Sequence, residues 1–373
     1  MDESEDILAM LRDAAGDFIG GRYDRAVLRR DSLKPRAVDR ALWREMGDMG
    51  WLGLGLPEAR GGSGLGIAGA TTLAELFGRT LYGAPFLACA SMPTELLAAL
   101  DGAPARELEA MLLAGERLLT LAWQEGAGQI EVGAQATRVQ GGRLTGRKLF
   151  VPSVQDDSVL LVYAESEGAP VLVAVAADAP GVAFESVAAG INSYASVTFD
   201  AAPTLFGAPL GQGRQAAAAL ERALSAGRIM LSAQLAGLAA GCLEQTIAYV
   251  NQRVQFGHPI GVFQTIQHRC VDLHIATMLA NASWRHAQGA YQADPYSHAA
   301  QAAISAAKAR CGDVAIRVAR ESVQMHGAMG FAEEVDIGFY LRAALQAASL
   351  LGGPQQHRRR FVRFQSTSED QNG

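Results

Sequence analysis

The stretch YVNQRVQFGHPIGVFQ, residues 249–264, concentrates the most informative side chains of the chain. Arg253 presents a planar guanidinium fork that matches a pair of phosphate oxygens. Phe256 offers a flat apolar face, and Gly257 lets the backbone approach a ligand closely. Gln264 ends the stretch with an amide that both donates and accepts hydrogen bonds. The pattern indicates a binding segment for a phosphate-bearing ligand, although the residues alone also fit a helix end with an exposed arginine and a buried phenylalanine.

Helical periodicity surrounds this stretch on both sides. Apolar residues recur at helical spacing over residues 216–252, 264–293, 299–325 and 340–351. Long helices joined by short turns are typical of antiparallel bundles, so the sequence predicts a C-terminal four-helix bundle over residues 209–365. The polar tail, residues 366–373, is predicted to be disordered.

The period changes in the earlier parts of the chain. Residues 116–208 contain short runs rich in valine, leucine and aromatic residues, separated by glycine, aspartate and proline. Such runs are typical of antiparallel strands. Residues 1–115 show helical spacing. The chain is therefore predicted to be an α+β protein with an N-terminal α-helical domain, a middle antiparallel β domain and the C-terminal bundle.

Composition and charge exclude several classes of protein. The 373 residues carry a net charge of −6, whereas nucleic-acid binding needs a concentrated basic surface. No apolar run reaches the roughly 18 residues of a membrane-spanning helix. The acidic N-terminus resembles neither a secretory signal nor a transit peptide, so we expect a cytoplasmic protein. The four cysteines lie far apart, and His268 and His274 lack metal-ligand spacing, so we expect reduced thiols and no metal site.

Four stretches make the chain resemble the acyl-CoA dehydrogenase family of flavoproteins. They are residues 49–62, 146–152, 249–264 and 324–331, and together they span nearly the whole sequence. The third is the most specific, being similar to the family pattern Y-x-x-x-R-x-q-F-G-x-p-i-x-x-f-Q. The resemblance implies an acyl-CoA dehydrogenase-like fold, FAD as cofactor and an acyl-CoA thioester as substrate. It also implies a homotetramer or dimer of dimers that passes electrons to an electron-transferring flavoprotein.

The resemblance further implies a reaction and a set of cofactor contacts. The family desaturates the bond between the α and β carbons of the thioester: a carboxylate takes the α proton, and the β hydrogen leaves as hydride. Hydrogen bonds to the thioester oxygen stabilise the developing enolate. The family's FAD lies at a subunit interface, where the positions matching Arg253, Phe256, Gln264 and Gln324 reach in from the neighbouring subunit. Gly327 belongs to the same cofactor-binding set.

The catalytic carboxylate of the family has no counterpart in this sequence. In most members the base lies in an E-G-T stretch beyond the last bundle helix, and Leu351 occupies that position here. A minority place the base immediately before an arginine that corresponds to Arg228, and the residue before it is Gly227. Glu221 is roughly 10 Å away along the helix axis. We therefore predict no catalytic residue in this chain, with Arg228 in the vicinity of the substrate site.

The middle domain departs from the family as well. The flavin loop T-E-P-x-x-G-S-D corresponds to residues 123–130, where Trp123 replaces a threonine and Gln129 a serine. The threonine of the W-I-T motif corresponds to Pro152, which has neither a hydroxyl nor an N–H group. The chain keeps the residues that serve a neighbour's FAD and lacks much of its own half-site. This asymmetry predicts a heteromer with a homologous catalytic subunit, an arrangement associated in the family with bulky thioesters such as steroid side chains.

Two other interpretations stay open on the sequence alone. One is a self-sufficient FAD enzyme with a non-standard base, for which Glu125 and Glu95 are the candidates. The other is a module that binds acyl-CoA or a partner protein and keeps the fold without redox chemistry. FAD content separates the three hypotheses, because each predicts a different distribution of FAD between the lone chain and a complex.

Overall fold

A computed structural model describes residues 3–22, 37–83, 85–189, 192–332 and 334–369 of the chain. Contacts within the chain divide it into two compact units. The first comprises Met1–Arg30, Thr71–Gly83 and Arg228–Gly373, and the second comprises Asp31–Ala70 and Ala84–Gly227. Each unit therefore combines segments that are distant in the sequence.

The N-terminal domain is helical. In its described residues the α-helices are α1 (Glu3–Arg22), α2 (Arg40–Asp48), α3 (Gly66–Thr80), α4 (Met92–Ala98) and α5 (Ala103–Leu113). A π-helix, Leu87–Ser91, leads into α4. Asp39 begins α2, because its carboxylate accepts hydrogen bonds from the backbone N–H groups of Ala41 and Leu42.

The middle domain contains an eight-stranded sheet. Its strands are β1 (Leu119–Ala122), β2 (Arg138–Gln140), β3 (Arg143–Pro152), β4 (Val159–Ser166), β5 (Ala169–Ala176), β6 (Val182–Ala189), β7 (Asn192–Pro203) and β8 (Gly211–Gln212). They follow the order β6-β7-β3-β2-β4-β5-β8, with β1 beside β4. The sheet is antiparallel except where β4 pairs in parallel with β1 and β2. Buried valines and leucines such as Leu160, Val173 and Val197 form its core, which explains why the strand pattern was visible in the sequence.

The C-terminal domain is again helical, which confirms the predicted fold class. Its helices are α6 (Gly213–Gln252), α7 (Gln264–Ala293), α8 (His298–His326), α9 (Ile337–Ser349) and α10 (Pro354–Glu369). Within the described residues the domain thus has one helix more than the predicted four. The last helix, α10, is described to Glu369 and so extends into the tail that the sequence predicts to be disordered. Residues 370–373 lie outside the described part of the chain.

The long helix α6 is a core element. By length and composition it is apolar enough to cross a membrane, but 89% of its apolar window is buried inside the protein. Glycines let it approach α3 closely: an added Cβ would lie 1.9 Å from the carbonyl oxygen of Glu75 at Gly237, and 2.1 Å from that of Gln234 at Gly78. Side chains at these positions would force the two helices apart.

Candidate cofactor and substrate site

The two C-terminal motifs meet through one aromatic contact. Tyr249 lies in the last turn of α6, and its ring stacks on that of His326 with centroids 4.1 Å apart and planes 19° from parallel. Its hydroxyl also lies 3.4 Å from the His326 carbonyl oxygen. His326 is the last residue of α8. The contact therefore brings the segment after α6 next to the segment after α8.

Arg253 occupies the junction between α6 and a hairpin formed by β9 (Val254–Gln255) and β10 (His258–Pro259). Its N–H donates to the carbonyl of Tyr249 at 2.8 Å, and its carbonyl accepts from the N–H of Ile260 at 2.8 Å. Its side chain is exposed and bonds to none of the residues that the structure describes. The chain thus holds the backbone in place and leaves the five guanidinium donors available, as phosphate recognition requires.

Phe256 forms the tip of this hairpin. Phe256 and Gly257 have φ angles of 54° and 81°, as a two-residue turn of the type favoured in hairpins demands. The phenylalanine side chain is 88% exposed and meets the ring of Phe263 edge-on at 6.2 Å. A ring this exposed, held in a backbone conformation that phenylalanine rarely adopts, indicates a surface that binds another molecule.

Gln264, Gln324 and Gly327 are exposed at the adjoining helix ends. Gln264 begins α7 directly after Phe263, and Gln324 and Gly327 flank the end of α8. Gly327 has φ 60° and ψ −136°, a conformation open mainly to glycine, and an added Cβ would meet no atom within 4 Å. The structure therefore gathers the five residues predicted to bind cofactor on one exposed part of the C-terminal domain.

Exposed apolar side chains accompany these residues along the hairpin, α7 and the segment after α8. At least half of the surface of each of the following is exposed: Val254, Val262, Val271, Ile275, Met278, Leu279 and Phe331. Soluble monomers rarely expose so much apolar surface, which indicates contact with another protein.

Leu351 lies in the turn between α9 and α10, with a φ angle of 52°. Two buried side chains hold this turn. Lys308 donates to the carbonyls of Ala348 at 2.9 Å and Gly352 at 3.1 Å, and His357 Nε2 lies 3.0 Å from the Leu351 carbonyl oxygen. Burial lowers the pKa of Lys308 to about 7 and that of His357 to about 2, so the imidazole is neutral and donates from Nε2. The predicted base position is thus a fixed turn with an aliphatic side chain.

The alternative base position lies within α6, where Gly227 and Arg228 are both buried. Burial is the largest cause of the lowered pKa values of Lys308 and His357, and the positive charge of Arg228 lowers both pKa values further. This arginine therefore lies near the Leu351 turn. Glu221, earlier on the helix, accepts a hydrogen bond from the Ser225 hydroxyl at 3.3 Å. Neither predicted base position carries a carboxylate.

Glu125, the first alternative base, belongs to an ion pair inside the β domain. The fully buried Lys148 donates to Glu125 Oε1 at 2.7 Å and to Gln135 Oε1 at 2.6 Å. The backbone N–H groups of Ala136 and Thr137 also donate to the Glu125 carboxylate. Burial raises the pKa of Glu125, but these hydrogen bonds outweigh it and bring the pKa down to about 2. Such a carboxylate is a weak base at neutral pH.

Glu95, the second alternative base, also has a cationic partner. It lies on α4 with 3% of its surface exposed, and it accepts a hydrogen bond from Arg222 Nε at 2.9 Å. Both candidate bases are therefore explained as partners of buried or half-buried cations.

The rest of the loop after β1 also bonds to itself. Trp123 is buried. The Gln129 side chain accepts a hydrogen bond from the N–H of Glu125 at 2.9 Å, and Gln124 Nε2 donates to the Gln129 carbonyl at 2.9 Å. The carbonyl of Pro152 accepts from the Thr120 hydroxyl at 2.8 Å. The polar groups of this region thus satisfy one another.

Comparison with known proteins decides the family. The N-terminal domain of acyl-CoA dehydrogenases matches residues 5–102, and their C-terminal domain matches residues 214–365. Acyl-CoA dehydrogenase FadE27 of Mycobacterium tuberculosis is 30% identical over 343 residues, covering 89% of this chain and 90% of its own length. The chain belongs to the acyl-CoA dehydrogenase family. Acyl-CoA dehydrogenase IpdE2 of the same organism is 26% identical, covering 94% of this chain and 95% of its own.

Solved acyl-CoA dehydrogenases share the fold over its full length. The Tcur3481–Tcur3483 steroid acyl-CoA dehydrogenase is 29% identical with a TM-score of 0.86, covering 98% of this chain and 99% of its own. The ChsE4–ChsE5 complex from Mycobacterium tuberculosis is 26% identical with a TM-score of 0.83, covering 98% of each chain. The activity of the family is oxidoreduction of CH–CH bonds, and its cofactor is FAD.

FAD fits the two regions of this acyl-CoA dehydrogenase unequally. Around the hairpin, the guanidinium of Arg253, the open backbone of Gly327 and the ring of Phe256 are all accessible. In the β domain, Trp123 and Pro152 have no hydroxyl group. In the loop after β1, Gln124 and Gln129 form hydrogen bonds within the loop itself. The groups accessible to a ligand such as FAD are therefore those on the C-terminal domain.

Three buried basic residues of this acyl-CoA dehydrogenase were not predictable from the sequence. Lys148, Lys308 and His357 are fully buried, and the only signal was a basic residue within or beside an apolar run. The cysteines are free thiols, and burial raises the pKa of Cys89 and Cys311 to about 12. Among the described residues, no group of three metal-ligating side chains occurs.

Proposed function

We propose that this chain is the base-lacking subunit of a heteromeric acyl-CoA dehydrogenase, in which it completes the FAD site of a homologous catalytic subunit. The assembly desaturates an acyl-CoA thioester between its α and β carbons and passes electrons to an electron-transferring flavoprotein in the cytoplasm. The observation that carries the proposal is the contrast between an accessible C-terminal half-site and a base position occupied by Leu351.

The residues around the hairpin have the chemistry of a donated half-site. Bound FAD supplies the hydride acceptor of the reaction. Arg253 offers charge-assisted hydrogen bonds to a pyrophosphate, and Gln264 and Gln324 offer amides to the adenosine or ribose. Phe256 supplies an apolar surface, and covering its exposed ring removes that surface from water, which is favourable. These groups bind and orient a cofactor without taking part in proton transfer.

A homologous subunit explains the rest of the asymmetry. It would supply a carboxylate at the position of Leu351 and a β-domain loop with the hydroxyls that Trp123 and Pro152 lack. The apolar residues exposed on α7 would be covered in the same assembly. Resemblance to a steroid acyl-CoA dehydrogenase and to a ChsE4–ChsE5 complex supports a bulky thioester as substrate and a paired subunit as partner.

Neither alternative interpretation receives comparable support. A self-sufficient enzyme needs a base, and Glu125 and Glu95 are both engaged with cations. A module without redox chemistry has no need for residues that match the family's FAD contacts, such as Arg253 and Phe256, to stay accessible together.

The test compares turnover of acyl-CoA thioesters by the lone chain and by its complex with a homologous subunit that carries the E-G-T carboxylate. A positioned base contributes roughly 10²–10⁴-fold, so we expect the lone chain to be slower than ordinary family members by at least that factor. An artificial electron acceptor serves for both samples, and the partner alone is the control. Ordinary family rates in the lone chain would overturn the proposal.

A further inference from the structure

The donated half-site consists of two segments that belong to different helices. Arg253 and Phe256 lie on the hairpin after α6, whereas Gln324 and Gly327 lie at the end of α8. Residues that bind one cofactor must keep a fixed mutual position, because loose groups lose affinity through the entropy of ordering them. Some contact must therefore set the distance between the two segments.

The stack of Tyr249 on His326 is suited to this task. Tyr249 lies four residues before Arg253, and its backbone carbonyl accepts a hydrogen bond from the Arg253 N–H at 2.8 Å. The ring of Tyr249 and the start of the hairpin are therefore joined through one helical turn. His326 immediately precedes Gly327, and its ring is fixed in turn by a contact of 2.8 Å between Nδ1 and the Ser322 carbonyl oxygen. The imidazole is buried, and burial lowers its pKa, which favours the neutral ring.

Other contacts between neighbouring helices in this region are weaker or lie farther from the segments. Arg269 on α7 and Glu321 on α8 form an exposed ion pair at 3.6 Å. Exposed pairs of this kind contribute little. The sulfur atoms of Cys270 and Met325 approach to 4.0 Å, which is an ordinary packing contact. Neither contact reaches Tyr249 or the hairpin.

We propose that Tyr249 and His326 are positioning residues that lock the hairpin and the segment after α8 in the mutual register required to bind FAD. The inference rests on the proposed function, since it assigns a purpose to the donated half-site. Its physical basis is that aromatic rings in contact attract each other in preferred orientations, beyond the effect of burying their surface, and these rings stack with centroids 4.1 Å apart.

The test substitutes the two rings and measures FAD affinity of the assembly with its catalytic partner. Tyr249→Ala removes the stack and is expected to weaken FAD binding about tenfold, which corresponds to 1.4 kcal/mol. Tyr249→Phe keeps the ring and is expected to stay within about twofold of the native affinity. His326→Ala and His326→Phe form a second such pair. Glu321→Ala, which removes only the nearby ion pair, is the matched control.

Hydrogen exchange on the lone chain keeps the inference separate from the proposed function. Tyr249→Ala, or Tyr249→Leu if the alanine variant does not fold, should accelerate exchange in residues 253–259 and 327–331, while Tyr249→Phe should not. Unchanged exchange in these segments would overturn the inference. The inference would also be overturned if Arg253→Ala weakens FAD binding but Tyr249→Ala binds FAD with normal affinity. If Arg253→Ala leaves FAD binding intact as well, the donated half-site itself is wrong.

Discussion

The loop after β1 and the hairpin after α6 use cations in opposite ways. Beside the loop, Lys148 of β3 is fully buried and donates hydrogen bonds to Glu125 and Gln135, so its charge stabilises the β domain. In the hairpin, Arg253 has a fixed backbone and a side chain that bonds to none of the described residues. A charged side chain that is buried and satisfied stabilises a fold, whereas one that is exposed on a rigid turn remains available for a ligand.

The two regions also differ in their aromatic residues. Trp123 of the loop is buried, whereas Phe256 of the hairpin exposes nearly its whole ring. Together these differences distinguish a region whose side chains support the fold from a region whose side chains are accessible to another molecule.

The largest expected effect is on the hairpin. Arg253→Ala should weaken FAD binding by the assembly by roughly two to four decades, because it removes two charge-assisted hydrogen bonds worth about 1.5–3 kcal/mol each. The measurement is FAD affinity of the purified assembly, with the thermal midpoint in excess FAD as a check on folding. Arg359→Ala, on the exposed face of α10, is the matched control and should leave FAD in place. Full flavin occupancy in Arg253→Ala would make this arginine an ordinary surface residue.

A smaller effect is expected in the β-domain loop. Glu125→Gln should lower the free energy of unfolding at pH 7 by roughly 1.5–3 kcal/mol, because it removes the negative charge that accepts the hydrogen bond from the buried Lys148. FAD affinity of the assembly should stay unchanged. The measurement is urea unfolding followed by tryptophan fluorescence, with the exposed Glu167→Gln as control.

The same pair predicts a pH dependence. The pKa of Glu125 falls from 4.5 to about 2 in the folded protein, so its contribution to stability is complete above about pH 4.5 and is lost as the pH falls toward 2. Glu125→Gln should therefore flatten the decline of stability over this interval. A variant that declines as steeply as the native protein would show that the ion pair is not what holds the loop.

The smallest expected effect is at the base position. Leu351→Glu should give the lone chain no measurable gain in turnover, because the β-domain region still carries Trp123 and Pro152 in place of hydroxyl donors. Turnover with an artificial electron acceptor is compared with that of Leu351→Gln, which has a similar shape but no carboxylate. A gain over the glutamine variant approaching the roughly 10²-fold of a positioned base would mean that the flavin half-site of this chain is intact.

The sequence was sufficient for the order of helical and β regions, and the residues predicted to form the donated half-site lie at helix ends that the structure brings together. The stretch from Tyr249 to Gln264 combines a helix end, a tight turn and a helix start, and each depends on local residue types such as the glycine after Phe256. The strands were visible because buried and exposed side chains alternate along β3 and β7. Local chemistry determined these features.

Features that depend on distant contacts were not predictable in the same way. The ion pairs of Glu125 and Glu95 are not visible in the sequence, because their cation partners Lys148 and Arg222 lie 23 and 127 residues away. The Leu351 turn depends on Lys308 from another helix, and the stack of Tyr249 on His326 joins residues 77 apart. Such pairings follow from packing, which a single sequence does not display.

The distribution of FAD between the lone chain and its complex shows whether this chain completes the FAD site of a partner. The chain and its homologous, carboxylate-bearing partner are purified separately and together, and flavin is released and quantified by absorbance against protein content. We expect little FAD in the lone chain and stoichiometric FAD in the complex, and we expect the complex to lose its FAD when the chain carries Arg253→Ala. Tightly bound FAD in the lone chain would contradict the account and favour a self-sufficient enzyme.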